Sequence, residues 1–410
     1  VVPSSREALA ILSDRFYENP SRSINLVGIT GTNGKTTVTY FLESIFREQG
    51  EKVAVIGTIE YRMGDEVFPA PTTTPASLDL QRMLRNLVQR KFSTVVMEVS
   101  SHALTLDRVR GCDFKAALFT NLSSEHLDFH QSMAEYGRAK LKLFATLKGP
   151  DRFAVLNQDD KFSHTIKQSI DVPVVTYGIL KPAHAQAKDI SLSWTGTRFR
   201  LSLSKETIDV NISLLGRSNV YNALAAGALA WRWGLSLSVI KRGLERLKAV
   251  PGRFEKVEGG YPFTVIVDYA HTADALKRVL ESVRELPVRR VITVFGCGGQ
   301  RDRSKRPVMG EVATGMSDYV IVTSDNPREE DPEKILLDIE VGIKKARREN
   351  YKIIADRSEA IAQALRMAEK GDLVIIAGKG HEQYQIIGNQ KLPYDDRKMV
   401  KQIWKGECKN

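Results

Sequence analysis

Short aliphatic and β-branched runs alternate with amphipathic stretches through the first part of the chain. INLVGIT (24–30), KVAVIGT (52–58), STVVMEV (93–99) and KAALFTN (115–121) are continuous apolar runs, which predicts buried strands. Between them, TVTYFLESIFREQG and SLDLQRMLRNLVQR carry the helical period. That alternation predicts a mostly parallel sheet with helices on both faces. Around 190–214 the pattern shortens to period two in SLSWTGTRFRLSLSKETIDVNISL, which predicts an antiparallel meander. NVYNALAAGALAWRWG then returns to helix.

PGRFEKVEGGYP (251–262) breaks the pattern, and a second α/β series follows: FTVIVDYA, RRVITVFG, DYVIVTSD, YKIIAD and DLVIIAGKG. We read a central domain over 23–250 and a C-terminal, Rossmann-like α/β domain over 251–410. Open α/β sheets bind ligands at the carboxyl ends of their strands. There the sequence places polar clusters: SSH after VVMEV, SSEHLD after LFTNL, HTAD after VIVDYA, CGGQRD after ITVFG, NPR after VIVTSD and KGHE after VIIAG.

GITGTNGKTT (28–37) supplies the first chemistry. A phosphate loop of the Walker type reads G-x-x-x-x-G-K-[ST], and counting back from Gly34-Lys35-Thr36 puts Ile29 where the first glycine would stand. The context is nevertheless that of a phosphate loop: a strand before, a helix after. Gly31 and Gly34 free the backbone to curl N–H groups around phosphates, Lys35 adds a cation and Thr36 a hydroxyl for Mg²⁺. The central domain is thus a P-loop-type ATPase domain. Glu98 ends a strand, where a carboxylate can bind Mg²⁺ directly or act as an ion-pair or capping residue. His126 and His130 have the spacing of a zinc pair on a helix, but no HExxH is present and a phosphate loop favours Mg²⁺. Arg is suited to bidentate binding of phosphate and carboxylate. Of the arginines and lysines in marked loops (Arg108, Arg253, Arg301, Arg303, Lys305, Arg306, Arg328), those in GCGGQRDRSKRP and DNPR are the strongest candidates.

Bulk composition narrows the field further. The chain has 410 residues, 42% hydrophobic and 27% charged, as expected of a globular protein. No apolar run is long enough for a membrane span, and Cys112, Cys297 and Cys408 lack metal-ligand spacing, which predicts a reduced, cytoplasmic protein. The net charge of +11 fits polyanionic small substrates or nucleic acid. The basic residues are dispersed and no nucleic-acid motif occurs, so nucleic acid is set aside.

Taken in order, GTNGKTT, TTTP, EVSSHAL, NLSSEHLDFH, YGRAKLKLF, NVYNALAA, PGRFE, DYAHTADAL, GCGGQRDRSKRP, SDNPREEDP and GKGHE resemble the Mur ligases over essentially the whole chain. The match is to the branch that adds the third residue of the peptidoglycan stem peptide. The resemblance implies an ATP-dependent amide ligase acting through an acyl phosphate on the D-Glu of UDP-MurNAc-L-Ala-D-Glu. It implies ATP contacts at Gly31, Thr32, Asn33, Gly34, Lys35, Thr36, Thr37 and Asn222, with Arg253 and Asp268 brought by the C-terminal domain. It places the UDP-MurNAc-dipeptide on Thr73, Thr74, Ser100 and Arg108. It implies two Mg²⁺ ions, held by Thr36, Glu98, His126 and a CO₂-derived carbamate on Lys140. Lys35, Glu98, His126 and Lys140 are its catalytic set. Its amino-acid pocket would use Arg301, Asp325, Asn326, Pro327, Arg328, Gly378 and Glu382. DNPR is the form associated with meso-diaminopimelate, whose distal carboxylate would pair with Arg328.

Departures from the family pattern are Gln300 where an acid is common, Ala273 for the usual Pro, and Ser218 for an aromatic. Residues 1–22 look like the last strand and linker of a UDP-gripping domain ahead of this start. A short Mur-type ligase acting on another carboxylate therefore stays open. So does folylpolyglutamate synthase, whose loop usually reads GTNGKGS, and a catalytically silent nucleotide-binding protein. The expected form is a cytoplasmic monomer that binds neither membrane nor nucleic acid.

Overall fold

The computed structural model describes residues 2–407; Cys408 lies outside them. The chain divides into two compact units, Val1–Lys248 and Ala249–Asn410.

The first unit is built on an eleven-stranded sheet. In chain order its strands are β1 (Asn25–Thr30), β2 (Val53–Ile56), β3 (Glu60–Met63), β4 (Glu66–Pro69), β5 (Thr94–Glu98), β6 (Ala116–Phe119), β7 (Phe153–Asn157), β8 (Val174–Gly178), β9 (Ala185–Ser193), β10 (Gly196–Leu203) and β11 (Glu206–Ile212). Their order across the sheet is 11-10-9-8-7-6-1-5-2-3-4. β1 lies between β5 and β6, parallel to both, with Ile29 opposite Glu98 and Thr30 opposite Phe119. Leu26, Val27, Ile29, Val95, Val96, Ala117 and Leu118 are completely buried, which is why these strands read as unbroken apolar runs. The period-two segment forms the meander β9–β10–β11, antiparallel throughout. The 60–69 hairpin was not legible from pattern; all four residues of β4 are exposed, so it carries no apolar signature.

Residues 5–16 correct the expectation of a strand and linker: they form the helix Ser5–Phe16. Ser4 caps it by accepting a hydrogen bond from the Glu7 amide at 3.2 Å, and Ala10, Ser13 and Asp14 are buried. A Ser cap with Glu three residues on, followed by good helix formers, outweighs the apolar content of the segment.

The second unit holds a six-stranded sheet of β12 (Glu255–Lys256), β13 (Thr264–Asp268), β14 (Val291–Phe295), β15 (Tyr319–Val322), β16 (Tyr351–Ile353) and β17 (Leu373–Ala377). The order is 12-13-17-14-15-16, parallel except for the edge strand β12. The last long strand, β17, thus inserts between β13 and β14. It brings the loop after Ala377 beside those that follow Phe295 and Val322. A separate hairpin, β18 (Tyr384–Ile387) and β19 (Gln390–Pro393), meets Arg328 through a bridge at Ile387. Among the described residues no helix is long and apolar enough to cross a membrane.

Candidate active site

In the first unit, the carboxyl ends of β1, β5 and β6 assemble one polar cluster. The loop after β1 leads into the helix Lys35–Glu48, with Gly34 as its left-handed cap (φ 88°). A Cβ on Gly34 would collide with Asn222 Oδ1, and one on Gly31 with Thr120 Oγ1. Only glycine meets both the dihedral and the space. Gly34→Ala is accordingly expected to weaken ATP binding by at least about tenfold, the left-handed cost for Ala alone being about 1–2 kcal/mol; titration calorimetry measures it, and unchanged affinity would contradict a phosphate-binding role for the loop.

The loop is fastened from the segment after β6. The Thr32 amide donates to the Asn121 carbonyl (2.8 Å) and the Asn33 amide to Asn121 Oδ1 (3.0 Å). Thr120 Oγ1 and Asn121 Nδ2 donate to the Asn33 carbonyl (2.6 and 3.1 Å). Lys35 Nζ folds back on the Gly31 and Thr32 carbonyls (2.9 and 2.8 Å). Lys140 Nζ donates to the same Gly31 carbonyl at 2.9 Å and lies 4.2 Å from the Tyr136 ring centroid. Lys140 is 1% exposed. Burial, reinforced by the nearby Lys35 charge, holds its amine well below the usual lysine range.

Glu98 is completely buried. It accepts from Thr36 Oγ1 (3.1 Å), from the Thr58 amide (2.8 Å) and from Thr58 Oγ1 (2.9 Å). Hydroxyls and an amide, not an ion pair, thus satisfy this carboxylate. Thr58 Oγ1 also meets Thr73 Oγ1 at 3.1 Å. Thr74 Oγ1 donates to the Glu98 carbonyl (2.9 Å), and Arg108 Nη1 donates to the Thr74 carbonyl (2.8 Å). Ser100 caps the short helix Ser101–Thr105 through its hydroxyl, which accepts from Ala103 N at 3.1 Å. Thr36, Thr73, Thr74, Ser100 and Arg108 are therefore gathered around Glu98. Residue 37 is buried in the first helical turn, and Asn222 donates to Asn219 Oδ1 (3.0 Å) beneath Gly34.

His126 sits at a left-handed position (φ 57°), its ring 4.7 Å from that of His102 and 6.1 Å from Tyr136. Burial pushes its pKa down to about 4, so the imidazole is neutral at pH 7 and able to ligate a metal. Among the described residues no three or more His, Cys, Asp or Glu side chains form a ready metal cluster. His126 and Glu98 are not brought together as one, and a metal here needs further oxygen donors. Thr36 and Glu98 offer the hard oxygens that suit Mg²⁺.

The second unit carries the other cluster. Asn326 Nδ2 donates to Glu382 Oε2 (2.9 Å). The fully buried Lys379 donates to both Asn326 Oδ1 and Glu382 Oε2, each at 3.0 Å. Asp325 is 8% exposed, and its Oδ2 has no hydrogen-bond partner among the described residues. Gly378 leaves room beside it, since a Cβ there would lie 2.6 Å from that oxygen. Arg328 has its backbone pinned on the hairpin: its amide donates to Ile386 O (3.0 Å) and its carbonyl accepts from Gly388 N (2.7 Å). The Pro327 carbonyl packs where a Cβ on Gly299 would fall. Arg328 Nη1 donates to the Gly299 and Asn326 carbonyls (2.7 and 3.4 Å), which leaves the Nε–Nη2 edge of the fork for a planar anion. Arg301 is exposed on the loop after β14.

Two sequence expectations change here. Arg306, one of the residues favoured for ligand binding, is fully buried on Asp338 (2.9 Å), Glu330 (2.8 Å) and the Gly298 carbonyl (3.2 Å), and it shapes the loop instead. Arg303 is exposed but pairs with Asp338, Lys305 donates to the His271 carbonyl, and Arg301 is exposed. Asp268 uses both carboxylate oxygens on the Phe254 and Ala270 amides (2.6 and 2.8 Å), and burial raises its pKa against the pull of Arg253. Arg253 lies 4.5 Å from the Tyr269 ring centroid. Sequence reasoning missed Thr58, Asn121 and Lys379. Each stands within a quoted run (KVAVIGT, KAALFTN, GKGHE), but only the register of the neighbouring strands shows what it touches.

The Mur ligase middle domain family matches residues 29–230, and the family described as Mur ligase, glutamate ligase domain matches residues 252–380. The UDP-N-acetylmuramoyl-L-alanyl-D-glutamate--2,6-diaminopimelate ligase of Syntrophomonas wolfei is 46% identical over 408 residues, which cover 99% of this chain and 83% of that relative. A solved structure of a ligase of the same name is similar at 33% identity and a TM-score of 0.70, over 100% of this chain and 84% of that one. Folylpolyglutamate synthase of Mycobacterium tuberculosis, complexed with ADP, has a TM-score of 0.76 at 17% identity over 91% of each chain, a likeness of fold.

Proposed function

The chain belongs to the Mur ligase family, and from that premise we propose that it is an ATP-dependent amide ligase that joins meso-diaminopimelate to the D-Glu side-chain carboxylate of UDP-MurNAc-L-Ala-D-Glu. The observation that carries this reading is the convergence, on one loop, of Lys35 and the buried Lys140 amine, both bonded to the Gly31 carbonyl beside the Thr36–Glu98 pair.

The roles follow from the geometry. The Thr32 and Asn33 amides already serve Asn121, so backbone recognition of phosphate falls to the helix N-terminus from Gly34 onward. Lys35 exchanges two loop carbonyls for phosphate oxygens and meets the negative charge that develops as the γ-phosphoryl group moves to the D-Glu carboxylate. Magnesium, when bound, supplies neutralising charge on that group; Thr36 and Glu98 would hold one ion, His126 and carbamylated Lys140 another. Thr58 keeps Glu98 oriented through two hydrogen bonds. Thr73, Thr74, Ser100 and Arg108 border this centre and receive the acceptor. The amine of the incoming diamino acid attacks the acyl carbon, a C–N bond forms, the acyl C–O bond breaks to release phosphate, and the nitrogen loses one proton. Asp325, Asn326, Glu382 and Gly378 take the reacting amino-acid end, while Arg301 and the Nε–Nη2 edge of Arg328 face the distal carboxylate. Arg253 and Asp268 serve the nucleotide. The form proposed is a cytoplasmic monomer.

Purified protein given ATP, Mg²⁺ and UDP-MurNAc-L-Ala-D-Glu is expected to form tripeptide product with meso-diaminopimelate and far less with L-lysine, read by mass spectrometry and phosphate release. No product with either amino acid overturns the proposal.

A further inference from the structure

The two loops given above to the amino acid leave different strands of one sheet. Residues 324–328 follow β15, residues 378–382 follow β17, and β14 runs between those strands. One side chain joins their starting points. Arg357 opens the helix Arg357–Met367, and its guanidinium is completely buried. Nε and Nη2 donate to Asp396 Oδ1 and Oδ2, both at 2.8 Å. Nη2 also donates to the Ala377 carbonyl (3.1 Å), and Nη1 donates to the Ser324 carbonyl (3.3 Å). Those carbonyls immediately precede Gly378 and Asp325. Asp396 is itself buried, at the start of the helix Asp396–Glu407, so the guanidinium is anchored from behind.

A planar fork with five donors can hold a carboxylate on one edge and two carbonyls beyond it; an ammonium cannot reach all of them from one point. Stability alone gives little reason for such a pair, because a buried ion pair contributes about as much as apolar residues of the same volume. Its distinctive consequence here is geometric: it fixes how far apart the two loops start. Arg357 also lies within electrostatic reach of Asp325, whose buried Oδ2 has no hydrogen-bond partner among the described residues.

We infer that Arg357, anchored by Asp396, is a positioning residue for amino-acid recognition, which sets the separation of the loops 324–328 and 378–382 and thereby the affinity for the diamino acid. The inference rests on the assignment of those loops to the amino-acid pocket. It touches neither the phosphate loop nor the acceptor cluster.

The test replaces the whole pair, Arg357→Met with Asp396→Leu, so that no lone charge is left buried, and adds Arg357→Lys. The double variant is expected to raise KM for meso-diaminopimelate by about tenfold to a hundredfold. KM for ATP stays within about threefold of wild type, since no residue of the phosphate loop is moved. Arg357→Lys moves KM in the same direction by less. Amide hydrogen exchange should rise in 324–328 and 378–382 and stay unchanged in 28–37. A folded double variant with unchanged KM and unchanged exchange in both loops overturns the inference. Should the double variant not fold, Arg357→Lys decides by the same two readouts. If the wild-type protein makes no product with meso-diaminopimelate, the proposed function falls, and hydrogen exchange alone still decides whether Arg357 fixes the loops.

Discussion

Replacing Lys140 by Ala is expected to lower kcat by about a hundredfold to a thousandfold, the usual size for removing one charged group that acts on the transition state. Lys140 is buried and donates to the Gly31 carbonyl beside the Tyr136 ring, with Lys35 and Glu125 the charges that act on it. Burial, with Lys35 next in weight, lowers its pKa. A lowered lysine pKa means that the neutral amine, the form that can attack CO₂, is present well below the ordinary titration range. In that form the nitrogen would bond to the carbon of CO₂ and lose one proton, which would turn a neutral buried amine into an anion suited to a metal. The sign of the pH effect follows: carbamylation is favoured as pH rises through the folded-state pKa and lost as pH falls through it. Activity lost in acidic, CO₂-depleted buffer should return on adding bicarbonate at neutral pH. The Ala variant should show no such recovery, and intact mass under native conditions should show CO₂ on wild type alone. Full rate in Lys140→Ala would remove the carbamate from the mechanism.

Arg328→Ala should separate the two candidate amino acids. Truncating one partner of a buried, hydrogen-bonded charge pair costs about 2–5 kcal/mol, on the order of a hundredfold or more in kcat/KM. That loss is expected for meso-diaminopimelate and not for L-lysine, which has no distal carboxylate. The structure holds this residue firmly in place. Its backbone is held at φ 53°, with both polar groups bonded to the β18–β19 hairpin, and Nη1 is fixed on two carbonyls. The Nε–Nη2 edge then has one orientation in which to meet a carboxylate. Arg328→Lys should not restore the rate, because an ammonium lacks the fork. Steady-state kinetics with both amino acids decides the matter; equal losses for the two would end the specificity role.

Much of this was legible in sequence, for identifiable reasons. Ile29 in place of the first Walker glycine is the buried end of β1, opposite Glu98, so the glycines that shape the loop are Gly31 and Gly34. Continuous apolar runs announced the parallel strands because both their faces are covered, and alternation announced the meander. The exposed hairpin at 60–69 left no such trace, and the helix at 5–16 was masked by an apolar texture that suits a strand equally well. Within GCGGQRDRSKRP, residue type could not separate Arg301, which projects, from Arg306, which is buried on two carboxylates.

The sequence by itself determined the alternation of elements, the two α/β units, the phosphate loop and the resemblance to an amide-ligase family, because these depend on local periodicity and on motifs contiguous in the chain. Only the tertiary structure decided that Lys140 bonds the loop 109 residues before it, that Thr58 holds Glu98, and that Arg357 bridges the carbonyls ahead of Asp325 and Gly378. Those contacts depend on which strands become neighbours. Strand order is set by long-range packing, and no local pattern encodes it.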